Sequence, residues 1–190
     1  MVIAGKAVYL RSLEREDMKL MHGWLNDAEI MEWARSKPDS VASMESVEKE
    51  FELDLKGENP HRRTYIVAEV GTDRPIGWAS MRWWRQFSTT TDIGLVVAEK
   101  GLRGKGMGTE ATMLLTAEAF EQLHMHKVEL WTRGDNKAAR KVAENCGFKH
   151  EGTDREAVYF NGSFQDGVTY GILEAEFKAA KERLANPQSH

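Results

Sequence analysis

A single cysteine, Cys146, excludes an internal disulfide framework and suits a reducing compartment. The six histidines are scattered, with no His-x-x-x-His pair and no Cys/His cluster, so no metal site is expected. Nothing approaches the ~18 consecutive apolar residues of a membrane span. Met1 to Leu10 has neither the long apolar core nor the small-residue cleavage pattern of a secretory signal, so a cytoplasmic protein with no membrane partner is expected. Basic charge is not in excess either. A net charge of −4 argues against nonspecific nucleic-acid binding, which depends on neutralising phosphates with Lys and Arg. Internal repeats and low-complexity segments are missing. What remains, 41% apolar and 29% charged over 190 residues, is an ordinary globular mixture that fits one domain spanning residues 1–190.

The most informative stretch that is present is Arg103-Gly104-Lys105-Gly106-Met107-Gly108, running into a helix expected to begin near Thr109. Alternating glycines let the backbone come close to a ligand and turn successive amides toward one point. A helix N-terminus adds unpaired donors and partial positive charge there, and Arg103 and Lys105 add two cations. The arrangement suits a diphosphate. It is not Gly-x-x-x-x-Gly-Lys-[Ser/Thr], and Gly-x-Gly-x-x-Gly fails because counting from Gly104 puts Thr109 at the last glycine.

The order of elements frames this loop. Ala7 to Leu13 alternates as a strand, and Glu14 to Asp17 supplies the acidic first turn of a helix running to Leu25. A short helix carries Glu29, Glu32 and Trp33, Lys37 to Ser40 forms a loop, and a third helix covers Met44 to Leu55. Thr64 to Val70 and Pro75 to Trp84 form a hairpin, and Thr90 to Ala98 is the strand before the loop. After the loop helix, expected to reach Leu123, come a strand at Val128 to Thr132 and a helix from Asn136 to Asn145 stopped by Gly147. Lys149 to Phe160 and Ser163 to Leu173 flank Asn161-Gly162, a strong hairpin signal, and a helix from Glu174 to Leu184 ends the pattern. The order predicts an α+β fold with a mixed, mostly antiparallel sheet flanked by helices.

Arg103-x-x-Gly106-x-Gly108 resembles the acyl-CoA pyrophosphate loop of the GNAT superfamily of N-acetyltransferases. A second match is Asn136-Lys137-Ala138-Ala139-Arg140 leading to Gly147-Phe148. The resemblance runs from Ala7 to Leu173, and the tail with Tyr159, Asn161-Gly162, Phe164 and Asp166 is similar to the branch holding ribosomal-protein alanine, spermidine and antibiotic acetyltransferases. It implies a GNAT-like fold and acetyl-CoA as acetyl donor, with the diphosphate on Arg103, Gly104, Lys105, Gly106, Met107, Gly108 and Thr109. It places the pantetheine arm along the backbone of Val96 and Val97 and beside Asn136 and Ala139. It also implies an acceptor side near the early helices, where Glu29, Glu32 and Trp33 stand. A homodimer fits that branch.

Asp92, eleven positions before Arg103, stands where many members carry an acid on the same strand and is the candidate general base. Alternation puts Asp92, Gly94 and Val96 on the face opposite Ile93, Leu95 and Val97. A Lys-like amine costs roughly 4 to 5 kcal/mol to deprotonate at pH 7 and an α-amine about 1, so a short Asp acting through water suits an α-amine. The sequence departs from the family at Ala143, where many members have a Tyr that protonates the leaving thiolate, and at Ala139, where some have Ser. Cys146 reads as a small packed residue, and Tyr159 and Tyr170 as core aromatics. The activity implied is acetyl transfer to a primary amine: a protein N-terminal α-amine, or a polyamine, amino acid or aminoglycoside. The alternative is a non-catalytic acyl-CoA sensor or scaffold.

Overall fold

The computed structural model describes residues 2–34, 41–83 and 89–185. The expected loop at Lys37 to Ser40, and Trp84 at the expected end of the second hairpin strand, lie outside the described residues. Eight described strands form one sheet: β1 (Val2–Ala4), β2 (Val8–Ser12), β3 (Arg62–Glu69), β4 (Pro75–Arg82), β5 (Thr90–Val97), β6 (Lys127–Arg133), β7 (Lys149–Phe160) and β8 (Ser163–Leu173). Their spatial order is β1-β2-β3-β4-β5-β6-β8-β7. Every pairing is antiparallel except β5 with β6, which are parallel because a helix crosses between them.

Helices α1 (Met18–Leu25), α2 (Ala28–Ala34) and α3 (Met44–Leu55) cover one face. Helices α4 (Met107–Glu121), α5 (Lys137–Asn145) and α6 (Glu174–Ala185) cover the other. The central strand β3 is therefore buried on both sides from Thr64 to Ala68. Tyr65 and Val67 join the core under α4 to α6, and Ile66 joins the core under α1 to α3. The same holds at the end of β5, where Leu95 packs toward one core and Val96 toward the other. Asp92 thus lies on the face opposite Leu95, as strand alternation suggested, and that face also carries an apolar core.

Local boundaries differ from expectation for identifiable reasons. The short edge strand β1 has three residues, too few for a periodic signal. The acidic segment after β2 is a 3-10 turn, Arg15–Asp17, before α1 begins; the Asp17 carboxylate is held by Arg11 and by the Glu14 amide. Helix α4 starts at Met107, two residues before Thr109, because Gly106 takes the left-handed N-cap conformation at φ 86°. Tyr159 is 62% exposed on the β7–β8 hairpin and faces Phe164, whereas Tyr170 is buried as expected.

Candidate active site

The parallel ladder between β5 and β6 is short. It runs from Thr90↔Lys127 to Asp92↔Glu129 and then stops, although β5 continues to Val97 and β6 to Arg133. Each strand remains paired on its outer side, β5 with β4 as far as Val97 and β6 with β8 as far as Arg133. The two strands therefore diverge inside the sheet and leave a V-shaped opening with an unpaired strand edge on either side. Ligands bind in α/β folds at such carboxyl ends of parallel strands.

Along β5 the Ala98 amide bonds back to the Ile76 carbonyl of β4. Alternation then turns the backbone groups of Val96 and Gly94 toward β4 and those of Val97 and Leu95 toward the opening. The Val97 carbonyl accepts a bond from Arg103 Nε at 3.0 Å. Val96, paired with Trp78 of β4, contributes a side chain to the α1–α3 core, where Trp78 stacks on Trp24.

The wide end of the V leads to the glycine loop. Gly104 and Gly106 have φ of 75° and 86°, and a Cβ at either would meet nothing within 4 Å, so the cradle is open as well as conformationally special. No side chain caps α4, which leaves its first amides to an anion. On the opposite arm, Asn136 caps α5 by accepting from the Ala139 amide at 3.1 Å. The loop, the β5 edge and the start of α5 together suit a diphosphate joined to an extended arm.

Asp92 sits at the narrow end, where the ladder stops. Its side chain is 20% exposed, and Oδ1 takes both bonds from Arg82, at 2.6 and 3.1 Å. Burial raises its carboxyl above the ordinary Asp value; Arg82 opposes that rise and Glu129 adds to it.

Glu29 is not a free acid toward the opening. It pairs with Lys100 and, at 3.3 Å, with Arg103, so α2 is tied to the loop cations. This hydrogen bond to Glu29 is the main cause that holds Lys100 above its usual pKa. At the other end of α2, Arg133 of β6 donates to the Glu32 carbonyl and lies over the Trp33 ring.

Ala143 and Cys146 are both fully buried, and burial pushes the Cys146 thiol up to about 12, which makes it chemically inert. The Tyr170 hydroxyl is held between Arg140 and Glu144 on the far side of α5. That region borders a groove of about 760 Å³ between α5 and the β7–β8 hairpin, whose lining includes Gly134 and Asp135 just beyond the end of β6. Among the described residues no group of three or more His, Cys, Asp and Glu is placed to hold a metal ion, and no described helix is long and apolar enough to cross a membrane.

The sequence reading missed Arg82, Lys100, Arg133 and Phe160. Arg133 carried one usable signal: it is a charged residue at the last position of a strand, directly before the Gly134-Asp135-Asn136 turn.

A sheet split between parallel strands, with an anion loop at one arm and an acid at the apex, defines an acyl-CoA-dependent transferase. Residues 7–149 match the acetyltransferase (GNAT) domain family, and the chain belongs to it. It is an N-acetyltransferase that transfers acetyl from acetyl-CoA to an amine. A probable N-acetyltransferase, YjcK of Bacillus subtilis (strain 168), is 27% identical over 179 residues, covering 92% of this chain and 98% of its own length. The putative ribosomal N-acetyltransferase YdaF of the same organism is 34% identical over 105 residues, which is 55% of this chain and 57% of YdaF. The fold is shared with the spermidine N-acetyltransferase of Vibrio cholerae, solved with CoA and spermine. That structure gives a TM-score of 0.81 at 24% identity and covers 92% of this chain and 99% of its own.

Proposed function

We propose that the chain acetylates an α-amine, with Asp92 as general base. The observation that carries the base assignment is the end of the β5–β6 ladder at Asp92↔Glu129, because it puts a mostly buried carboxylate at the apex where the two arms meet. The amides and cations from Arg103 to Thr109 hold the donor's diphosphate, and Leu95 and Val97 offer the strand edge to its pantetheine arm. Val96 serves by packing, while Asn136 and Ala139 shape the opposite wall. Asp92 Oδ1, fixed by Arg82, orients the carboxylate so that it can take the amine proton directly or through one water. With Ala143 in place of a phenol and Cys146 buried, solvent protonates the leaving thiolate; thiols are acidic enough, near 8.5, for this to be cheap.

The way the carboxylates around the opening are already engaged supports this acceptor class. Asp27 caps α2, Glu29 pairs with Lys100 and Arg103, Asp92 with Arg82, Glu129 with Lys127, and Asp135 with Arg133. Glu32 has no side-chain ion pair among the described residues. A polyamine brings several ammonium groups and wants several unengaged acids, whereas one carboxylate suits a single α-amine. YdaF, described as ribosomal, supports this reading, and the spermine in the Vibrio structure supports the polyamine one. The buried, reduced Cys146 suits a cytoplasmic setting.

The deciding measurement is thiol release with mass spectrometry of the product across peptides with small N-terminal residues, spermidine, free amino acids and an aminoglycoside. Peptide α-amines are expected to give the highest kcat/KM; a higher value for spermidine would overturn the assignment.

Glu29 competes with the diphosphate for Arg103 and Lys100. Replacing it by Gln is expected to tighten CoA binding two- to fivefold at low salt, the range set by exposed ion pairs of about 0 to 1 kcal/mol, and the gain should fade at high salt. Calorimetric titration with CoA at two ionic strengths checks this. Weaker binding in the variant would mean that Glu29 organises the loop.

A further inference from the structure

We propose that Arg133 is a positioning residue for the acceptor, acting by clamping α2 across the mouth of the V. The side chain is almost completely buried, yet it ends in a planar cation that contacts three other parts of the chain. Nε and Nη2 donate to the two oxygens of Asp135 at 2.9 and 3.1 Å, and Nη1 donates to the Glu32 carbonyl at 3.0 Å. The guanidinium lies 4.4 Å from the Trp33 ring centroid and 3.8 Å from that of Phe160. It is thus sandwiched between α2 and the β7–β8 hairpin while its edge is satisfied by Asp135.

The position explains the role. Arg133 ends β6, so it marks one tip of the V, and the Val97 carbonyl with Arg103 marks the other. Helix α2 has seven residues and reaches both tips, through Glu29 to Lys100 and Arg103 and through Glu32 and Trp33 to Arg133. The Glu29 contacts are exposed ion pairs of the kind that contribute little and that the donor's diphosphate displaces. The Arg133 end is the buried, multiply bonded one and remains when the donor is bound. An acceptor amine entering from the α1–α3 face must pass α2, so the setting of that helix determines acceptor fit while the donor arm is untouched.

The arrangement calls for arginine. Lysine keeps the charge but lacks both the plane that lies between two rings and the fork that meets a carboxylate with two bonds.

This proposal rests on the acceptor approaching beside α2, and its test separates the two ideas. The variants are Arg133→Lys, Trp33→Ala and Phe160→Ala; the last two leave the Arg133–Asp135 pair intact, so they guard against a variant that fails to fold. With an acceptor found in the panel above, each variant is expected to raise acceptor KM about tenfold. The acetyl-CoA KM, and CoA affinity measured without acceptor, should stay within twofold. Arg133→Lys together with Trp33→Ala should be no worse than either alone. Hydrogen exchange should show Ile30 to Ala34 exchanging faster in Arg133→Lys, with α4 unchanged; that readout needs no acceptor and stands even if the α-amine assignment fails. A lowered melting temperature with unchanged acceptor KM and unchanged α2 exchange would reduce Arg133 to a structural residue. Equal losses for donor and acceptor, or full rescue by lysine, would also overturn the proposal.

Discussion

Asp92→Asn is expected to lower kcat about a hundredfold, the lower end of what a general base contributes, with the acetyl-CoA KM unchanged. The substitution keeps shape and the bonds an oxygen can accept from Arg82, so it removes basicity and little else. The wild-type acid limb should reflect a carboxyl titrating above the ordinary Asp value, because burial is the leading cause of the shift. As the pH falls through that raised value the base is protonated and activity is lost; in Asp92→Asn this limb should vanish. Arg82→Met should move the limb further up, since Arg82 is the partner that lowers the Asp92 pKa.

Stability responds differently. A carboxyl whose folded pKa is raised favours the folded state most fully below the unfolded value, and that contribution is lost as pH rises through the folded value. Above that raised value the wild type has already lost it, so there Asp92→Asn should not destabilise through this route. Arg82, which loses its ionised partner, is 45% exposed and can turn to water. A fall in kcat without a fall in melting temperature is therefore the expected signature. An undiminished kcat with its acid limb in place would remove Asp92 from the role and direct attention to Glu32.

What the sequence could show was local. The glycine loop was legible because positive φ at Gly104 and Gly106 demands glycine at fixed spacing. The same holds for Gly147, at φ 88° after α5, and for Asn161-Gly162, whose φ of 47° and 82° turn the β7–β8 hairpin in two residues. Asn136 announced its helix because a cap acts within three residues. Other features depend on residues that meet after folding. Glu29 finds Arg103 across 74 positions, and Arg133 finds the Glu32 carbonyl across 101. No periodicity reports such pairs, and each changes the meaning of a residue: Glu29 becomes a partner of the donor loop, and Arg133, which carried no assigned role in the sequence, a buried clamp. The V itself was invisible for the same reason. Strand propensity runs evenly through Thr90 to Val97 and says nothing about where the ladder to β6 stops.

Gly77→Ala is expected to damage both stability and donor binding, and the reason lies in that same strand edge. Gly77 stands opposite Val97 in the β4–β5 pair. A Cβ there would lie 1.9 Å from the Val96 carbonyl oxygen, 3.0 Å from its carbonyl carbon and 3.1 Å from the Val97 Cα. These are backbone atoms of a central strand, so no rotamer relieves the overlap and the two strands must part. Strain of this kind costs about 1 to 3 kcal/mol or more, and at about 2 to 4 °C per kcal/mol a melting temperature lower by roughly 5 to 10 °C is expected. Parting β4 from β5 at this point also swings Val97 into the opening, so the acetyl-CoA KM should rise by tenfold or more. The control is Gly94→Ala on the facing strand. Its Cβ would meet nothing closer than the Ser80 Oγ at 3.4 Å, the end of a rotatable side chain, and its melting temperature should stay within a degree or two of the wild type. If Gly77→Ala melts with Gly94→Ala and binds CoA normally, the β4–β5 contact is not what holds the donor edge in place. If it melts lower but binds CoA normally, the edge is held from elsewhere, and the Arg103 bond to the Val97 carbonyl is the next contact to remove.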